Sequence, residues 1–175
     1  MNRLRLPPAA VLLAVLSFPP TVAHGQTTEP VFPFPVSVFE LANGLKVVGV
    51  DYDSPGIVAY YTVVRTGSRN EVEPGFSGYA HFFEHMMFRG TEAYPTDAYN
   101  EAIKRLGADS NAFTTDDWTT YHTVASADAL ETIIELESDR FLNLSYSEED
   151  YRIEAGAILG EYNLNFSNPT SLLRE

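Results

Sequence analysis

The pentapeptide His81-Phe82-Phe83-Glu84-His85 constrains this chain more than any other stretch, because its three polar side chains act together only on an α-helix. Residues i and i+4 of a helix share a face, so both imidazoles reach one metal ion, while Glu84 comes within reach of a water held there. Glycines punctuate the run on both sides, Gly75 and Gly78 before it and Gly90 after it. The spacing predicts a helix capped by Ser77, running to about Phe88 and stopped at Gly90. In chemical terms, an inverted His-x-x-Glu-His on a helix points to metal-assisted peptide hydrolysis.

The elements around that helix set the fold class. A strand at Val36 to Leu41 meets Asn43-Gly44, a type I′ hairpin signal, and a return strand at Leu45 to Val50. After a turn at Asp51 to Gly56, the β-branched and aromatic run Ile57 to Arg65 reads as a central strand, and Gly67 to Gly75 as loop. Behind the first helix, Ala98, Tyr99, Ala102, Ile103 and Leu106 recur at helical spacing up to Gly107. Asn111 to Trp118 and Thr119 to Ala125 alternate as a strand pair turned near Asp116-Asp117. A long helix from Ala127 to Leu142 presents Leu130, Ile133, Ile134, Glu137 and Phe141 as a mostly apolar stripe, and Ser147-x-x-Asp150 opens a last helix carrying Glu154 and Glu161. The order βββ-α-α-ββ-α-α predicts an α+β fold: a mostly antiparallel β-sheet with helices packed on one face and the metal site between two helices.

Composition narrows the chemistry. With 175 residues and a 45% hydrophobic share, there is material for one substantial core and not for two. Against 24 acidic residues stand 11 basic ones, a net charge of −13 with no basic cluster, which argues against nucleic acid as a partner. Cysteine is absent, so disulfides, thiol nucleophiles and thiolate ligands are excluded, and a metal must be held by His and carboxylate. Ser77, Ser110 and Ser126 lie in no Gly-x-Ser-x-Gly elbow. At the N-terminus, Arg3 and Arg5 precede the apolar run Leu6 to Phe18 and small residues near Ala23 and Gly25. That is a signal-peptide layout over 1–25, with an extended proline-rich leader at 26–35. The run falls short of the roughly 20 residues of a spanning helix. The expected location is therefore periplasmic or extracellular, with membrane association left open and no stable transmembrane segment.

Two histidines and one carboxylate with an open fourth position make a catalytic zinc pattern. Glu154 and Glu161 are the candidates for the third ligand; seven residues apart, they share a helical face, and spacing alone does not choose between them. Asn111-Ala-Phe-Thr114 reads either as a substrate-binding edge strand, with Ala112 allowing close approach, or as an ordinary hairpin. Phe82, Phe83, Met86, Met87 and Phe88 read as core and pocket wall, and the acidic run from Asp128 to Asp139 as a solvated helix face.

The stretch from Gly75 through His81 and His85 to Thr91 resembles the zinc-site segment of the pitrilysin/insulinase/mitochondrial processing peptidase family of metallopeptidases. Four further segments match in order: Phe39-Glu-Leu-Ala-Asn-Gly-Leu-Lys-Val-Val, Thr66-Gly-Ser-Arg-Asn-Glu, Asn111-Ala-Phe-Thr-Thr-Asp-Asp-Trp-Thr-Thr-Tyr121 and Glu154-Ala-Gly-Ala-Ile-Leu-Gly-Glu161-Tyr-Asn. The resemblance implies that His81, His85 and Glu161 hold one Zn²⁺ per catalytic domain, that Glu84 is the base, and that Glu154 stands behind the histidines. It implies that Asn111, Ala112 and Phe113 lie along the substrate. Where the family usually has a charged residue after the position of Glu154, this chain has Ala155 and Gly156.

By the same resemblance, residues 36–175 are an N-terminal peptidase domain that stops short, and the peptide or small protein substrate is enclosed with a homologous C-terminal domain or a separate partner subunit. The expected activity is a secreted zinc metalloendopeptidase. The competing expectations are a non-catalytic partner subunit of a two-chain peptidase and a zinc-stabilised binding module.

Overall fold

The computed structural model describes residues 32–167, which fall into two compact units divided between Tyr52 and Asp53. The signal-peptide expectation and residues 26–31 of the leader lie outside the described residues. In the first unit, β1 (Val36–Glu40) pairs antiparallel with β2 (Lys46–Val50), in a register running from Val36↔Val50 to Glu40↔Lys46. The turn is not type I′, which needs a positive φ at both central residues: Gly44 has φ +85, and no described residue other than glycine has a positive φ. Instead the Leu41 N–H donates to the Leu45 carbonyl and the Gly44 N–H to the Leu41 carbonyl, each at 2.9 Å. This is a three-residue loop in which Gly44 takes the left-handed position, while the Asn43 side chain accepts from the Leu45 N–H.

The second unit is a three-stranded antiparallel sheet with helices against one face. Its strand order is β3 (Ile57–Val64), β5 (Thr119–Ser126), β4 (Asp109–Thr114). The run read as a central strand is thus at an edge, and β5 is central. The register explains the difference: Val58, Tyr60, Thr62 and Val64 stand opposite Ala125, Thr123, Tyr121 and Thr119, so one face of β3 is partly covered while Ile57, Tyr61 and Val63 stay exposed. A β-branched composition reports that a residue suits a pleated surface, and not how many neighbours the strand has.

Four helices complete the unit: α1 (Tyr79–Met86), α2 (Thr96–Arg105), α3 (Leu130–Asn143) and α4 (Glu148–Phe166). The core under α3 joins Ile133 and Ala129 to Ala125, with Val58, Tyr60, Leu106 and Ala108 packed around them. The buried side of α3 is less apolar than its sequence stripe, because Ile134 is exposed and Glu137 and Arg140 are buried as a pair. Tyr99 on α2 donates to Glu137 at 3.1 Å, and the Arg140 guanidinium lies 4.8 Å from the Tyr121 ring and 5.0 Å from that of Phe88. Cation–π contact and one carboxylate thus stand in for water around a buried charge. The acidic run on this helix is not simply a solvated face either: Asp139 accepts from Thr91 and Glu135 from Tyr94.

Loop and turn contacts then fix where α1 sits. Ser68 and Arg69 donate backbone N–H groups to Thr115 and Asp116 at 3.1 and 2.9 Å, tying the loop before α1 to the β4–β5 turn. Gly67 is required there, since a Cβ on it would lie 2.3 Å from the Thr115 carbonyl oxygen.

Candidate metal centre

The helix that carries His81, Glu84 and His85 is not started by Ser77. Its N-cap is Gly78, with φ +91 and no side chain to offer, and the orphan N–H groups are taken from seven residues upstream. The Glu71 carboxylate accepts from the Gly78 N–H at 2.6 Å and from the Ala80 N–H at 2.7 Å. A negative charge at this end also complements the helix dipole. The helix ends as read: a 3₁₀ turn, Met87–Arg89, leads to Gly90 at φ +86, where an added Cβ would come 2.5 Å from the Tyr94 carbonyl oxygen.

On α1 the Nε2 atoms of His81 and His85 face each other at 3.2 Å. The carboxylate of Glu161, on α4, closes on both, 3.5 Å from His81 Nε2 and 3.8 Å from His85 Nε2. Ligand atoms of these three residues all lie within 4.8 Å of one another. Two nitrogens bound tetrahedrally at the usual zinc–nitrogen distance stand roughly 3.3 Å apart, so the spacing and the donor types both fit a zinc ion. Three protein donors leave a fourth position for water or substrate.

Glu154, two turns before Glu161 on α4, lies on the other side of His85 and accepts from its Nδ1 at 2.9 Å. With the proton on Nδ1, the Nε2 lone pair is free for a metal. The second oxygen of Glu154 accepts from Arg89, whose other terminal nitrogen is 3.8 Å from Asp150. The two glutamates that spacing could not separate are thus placed on opposite nitrogens of one ring.

Glu84 stands apart from these three residues. It is 8% exposed, and its carboxylate accepts from the Thr114 hydroxyl at the end of β4. Thr114 is steadied by Thr119 beside it, which donates to the Thr66 carbonyl at 3.0 Å. Burial holds the Tyr121 phenol well above its ordinary value against the opposite pull of Arg140, and the nearby Glu84 charge adds to the rise. Asp150 is held below its ordinary value by the Ser147 hydroxyl and backbone N–H, which close the expected capping box.

The other predicted residues sit on β4, the edge strand opposite β3. Ala112 lies in the row that includes Thr114, on the face toward α1, while Asn111 and Phe113 occupy the opposite face. The closing Thr115–Trp118 backbone bond sets the ladder, so the Ala112 N–H points to the open edge, where the Asn111 side chain accepts from it at 2.9 Å. Among the aromatic and Met residues, Met86 and Met87 are core, Phe82 packs on Tyr151 at 4.7 Å, and Phe83 lines a 720 Å³ cavity with Phe76, Tyr79 and Phe141.

Sequence reasoning gave no role to Glu71 or Arg89, and it read Thr114 as part of a substrate strand and not as the partner of Glu84. For Glu71, the signal was a helix start with glycine at its cap position and a carboxylate upstream. Thr114 and Arg89 meet partners 30 and 65 residues away, and no local pattern announces either.

The sequence model of the insulinase family, peptidase family M16, matches residues 50–175. An uncharacterized zinc protease of Rickettsia bellii is 30% identical over 139 residues, which make up 79% of this chain and 34% of that protein. The crystal structure of a protease from Helicobacter pylori superposes with a TM-score of 0.76 at 30% identity, covering 80% of this chain and 34% of that one. The periplasmic protease PqqL of Escherichia coli gives a TM-score of 0.68 at 28% identity, over 73% of this chain and 15% of that one. The chain thus spans about a third or less of these relatives.

Proposed function

This chain belongs to the insulinase family of peptidases, family M16, and from that premise we propose that it carries the zinc-binding and proton-transferring part of an endopeptidase. The observation that carries this reading is the pair of imidazole nitrogens 3.2 Å apart with the Glu161 carboxylate closing on both. In it, His81, His85 and Glu161 hold one Zn²⁺, and Glu154 fixes the tautomer of His85. Zinc, when bound, supplies Lewis acidity for an attacking water and for the scissile carbonyl. Glu84 takes the proton of the attacking water and delivers it to the leaving amine, and Thr114 keeps the carboxylate aimed.

The substrate, a peptide or small protein, is held as an added strand along the open edge of β4. The small Ala112 side chain permits close approach, and Asn111 releases the Ala112 N–H to the incoming carbonyl. Because the chain spans 34% of the Rickettsia relative, the opposite wall of the site is assigned to a homologous domain or a partner subunit.

The N-terminal charge pattern and the likeness to a periplasmic protease support export to the periplasm or beyond. No helix among the described residues is long and apolar enough to cross a membrane. The reading as a non-catalytic subunit is the weaker one, because Glu84 is present, buried and hydrogen-bonded beside a complete ligand set.

Metal analysis of the complete protein, together with turnover of a quenched peptide library, tests the proposal. The expected result is one zinc per chain and cleavage that a chelator abolishes and added zinc restores. Zinc without turnover would favour the partner subunit or the binding module, and absence of zinc would end the reading.

A further inference from the structure

Arg89 is neither a metal-ligating residue nor part of the His-x-x-Glu-His run, yet its guanidinium grips the carboxylate that orients His85. We infer that Arg89 is a positioning residue of the metal centre: by holding Glu154 it fixes the tautomer and ring plane of His85, and it locks α4 in register with α1. The inference rests on the reading of this site as a zinc centre.

The root of the Arg89 side chain is fixed. Its own carbonyl accepts from the Thr96 hydroxyl at 2.9 Å, and the next residue, Gly90, turns with φ +86 against the backbone of Tyr94 and Pro95. Its head reaches two successive turns of α4, donating to Glu154 Oε1 and lying 3.8 Å from Asp150 Oδ1. The side chains of Arg89 and Glu154 are only 19% and 14% exposed, so solvent screens the pair little. Arg89 Nε is buried with no hydrogen-bond partner among the described residues, and the two carboxylates at the head of the side chain offset its lost hydration.

A carboxylate bound through one oxygen can swing about its terminal torsion, which is broad; bound through both, it cannot. Glu154 is bound through both, with Oε1 on Arg89 and Oε2 on His85 Nδ1. The Nδ1–H···carboxylate contact therefore has a fixed direction, and it sets the ring that carries Nε2, which stands 3.2 Å from Nε2 of His81. Register matters as well. Glu161 reaches the histidines from the same helix, and sliding α4 by one residue moves it by about 1.5 Å and turns it by roughly a quarter of a circle, out of the ligand set. Arg89 sets that register at Asp150 and Glu154, close to the ring it serves.

The test is zinc affinity of the complete protein, measured by competition with a chromophoric chelator. Arg89→Met should bind zinc roughly 10- to 100-fold more weakly, the usual scale for loss of a group supporting a ligand. Arg89→Lys, which offers a point charge and not a fork, should fall between Met and wild type. Glu154→Gln should itself weaken binding, and in that background Arg89→Met should cost clearly less than in wild type, because its hold on the ring through the Glu154 carboxylate is gone and only its contact with Asp150 remains. Affinity in Arg89→Met equal to or tighter than wild type would overturn the inference. So would equal losses in the two backgrounds, since Arg89 would then act by general packing. If Arg89→Met fails to fold by circular dichroism, Arg89→Lys carries the test, and wild-type affinity in it is the overturning result. A wild-type protein that binds no zinc defeats the proposed function and this inference together, and it is recognised without any variant.

Discussion

Glu84 and Glu161 have the same functional group in different surroundings, and the proposal gives them different tasks on that ground. Glu161 is half exposed, 49% by side chain, and both its oxygens face imidazole nitrogens. Glu84 is 8% exposed and bound to a threonine hydroxyl. Glu84→Gln keeps the size and the helix propensity and removes the proposed base, so zinc content of the complete protein should stay at wild type while turnover falls by roughly 10²- to 10⁴-fold. Zinc lost in parallel would instead make Glu84 a ligand. His81→Ala, His85→Ala and Glu161→Gln each remove one of the three proposed donors, and metal analysis after dialysis should show depleted zinc in all of them. Tightly held stoichiometric zinc in Glu161→Gln would move the third-ligand role to Glu154. The placement of His81, Glu84 and His85 on one helix was legible because i, i+3 and i+4 are fixed by helix geometry. The choice between Glu154 and Glu161 was not, because residues seven apart lie on one face and differ only in which nitrogen of His85 they approach.

At the scale of elements, the two helices that build the site are capped in different ways, and only one way can be read locally. Ser147 and Asp150 cap α4 reciprocally, Asp150 N–H to Ser147 Oγ at 3.1 Å and Ser147 N–H to Asp150 Oδ2 at 2.9 Å. That box was visible three residues apart in the sequence. The Glu71 cap of α1 arrives through a loop whose own path depends on the β4–β5 turn. Glu71→Ala should cost about 1 kcal/mol of stability in urea titration, as for loss of an N-cap, and lower zinc affinity with it. An unchanged midpoint would show that solvent replaces the carboxylate without loss. The α4 box also carries a pH signature. Asp150 is held below its ordinary value of 3.8, chiefly by the Ser147 hydroxyl. Its contribution is therefore fully present above that value and is lost as pH falls through the lower folded value. Ser147→Ala should flatten the stability profile between those two values and leave it unchanged near neutral pH apart from a constant offset; a profile that is unaltered in shape would remove the cap from the account. Strand order was the less legible part: β3 and β5 have similar β-branched composition, and what makes β5 central is pairing to β4, a long-range fact.

Across the whole molecule, the order of elements was enough to give an α+β architecture, because alternation and helical spacing are local. The division of the strands into a two-stranded and a three-stranded sheet was not, because sheet membership is decided by pairing between distant strands. Charge is the one global property that needs no structure at all. The chain carries −13 from 24 acidic against 11 basic residues. A field of that sign raises the local concentration of cationic peptides and leaves neutral ones alone. Increasing ionic strength from about 0.01 M to 0.15 M shortens the screening length from roughly 30 Å to 8 Å, so steering should be lost while the proposed contacts at the edge of β4 should persist. For a peptide rich in Lys and Arg, kcat/KM of the complete enzyme should drop by about tenfold over that range, carried by association. For a neutral peptide with the same residues at the cleaved bond it should change less than about twofold. Equal salt dependence for the two peptides would show that the acidic surface takes no part in selecting substrate, and preference would then rest on the β4 edge and the pocket walls alone.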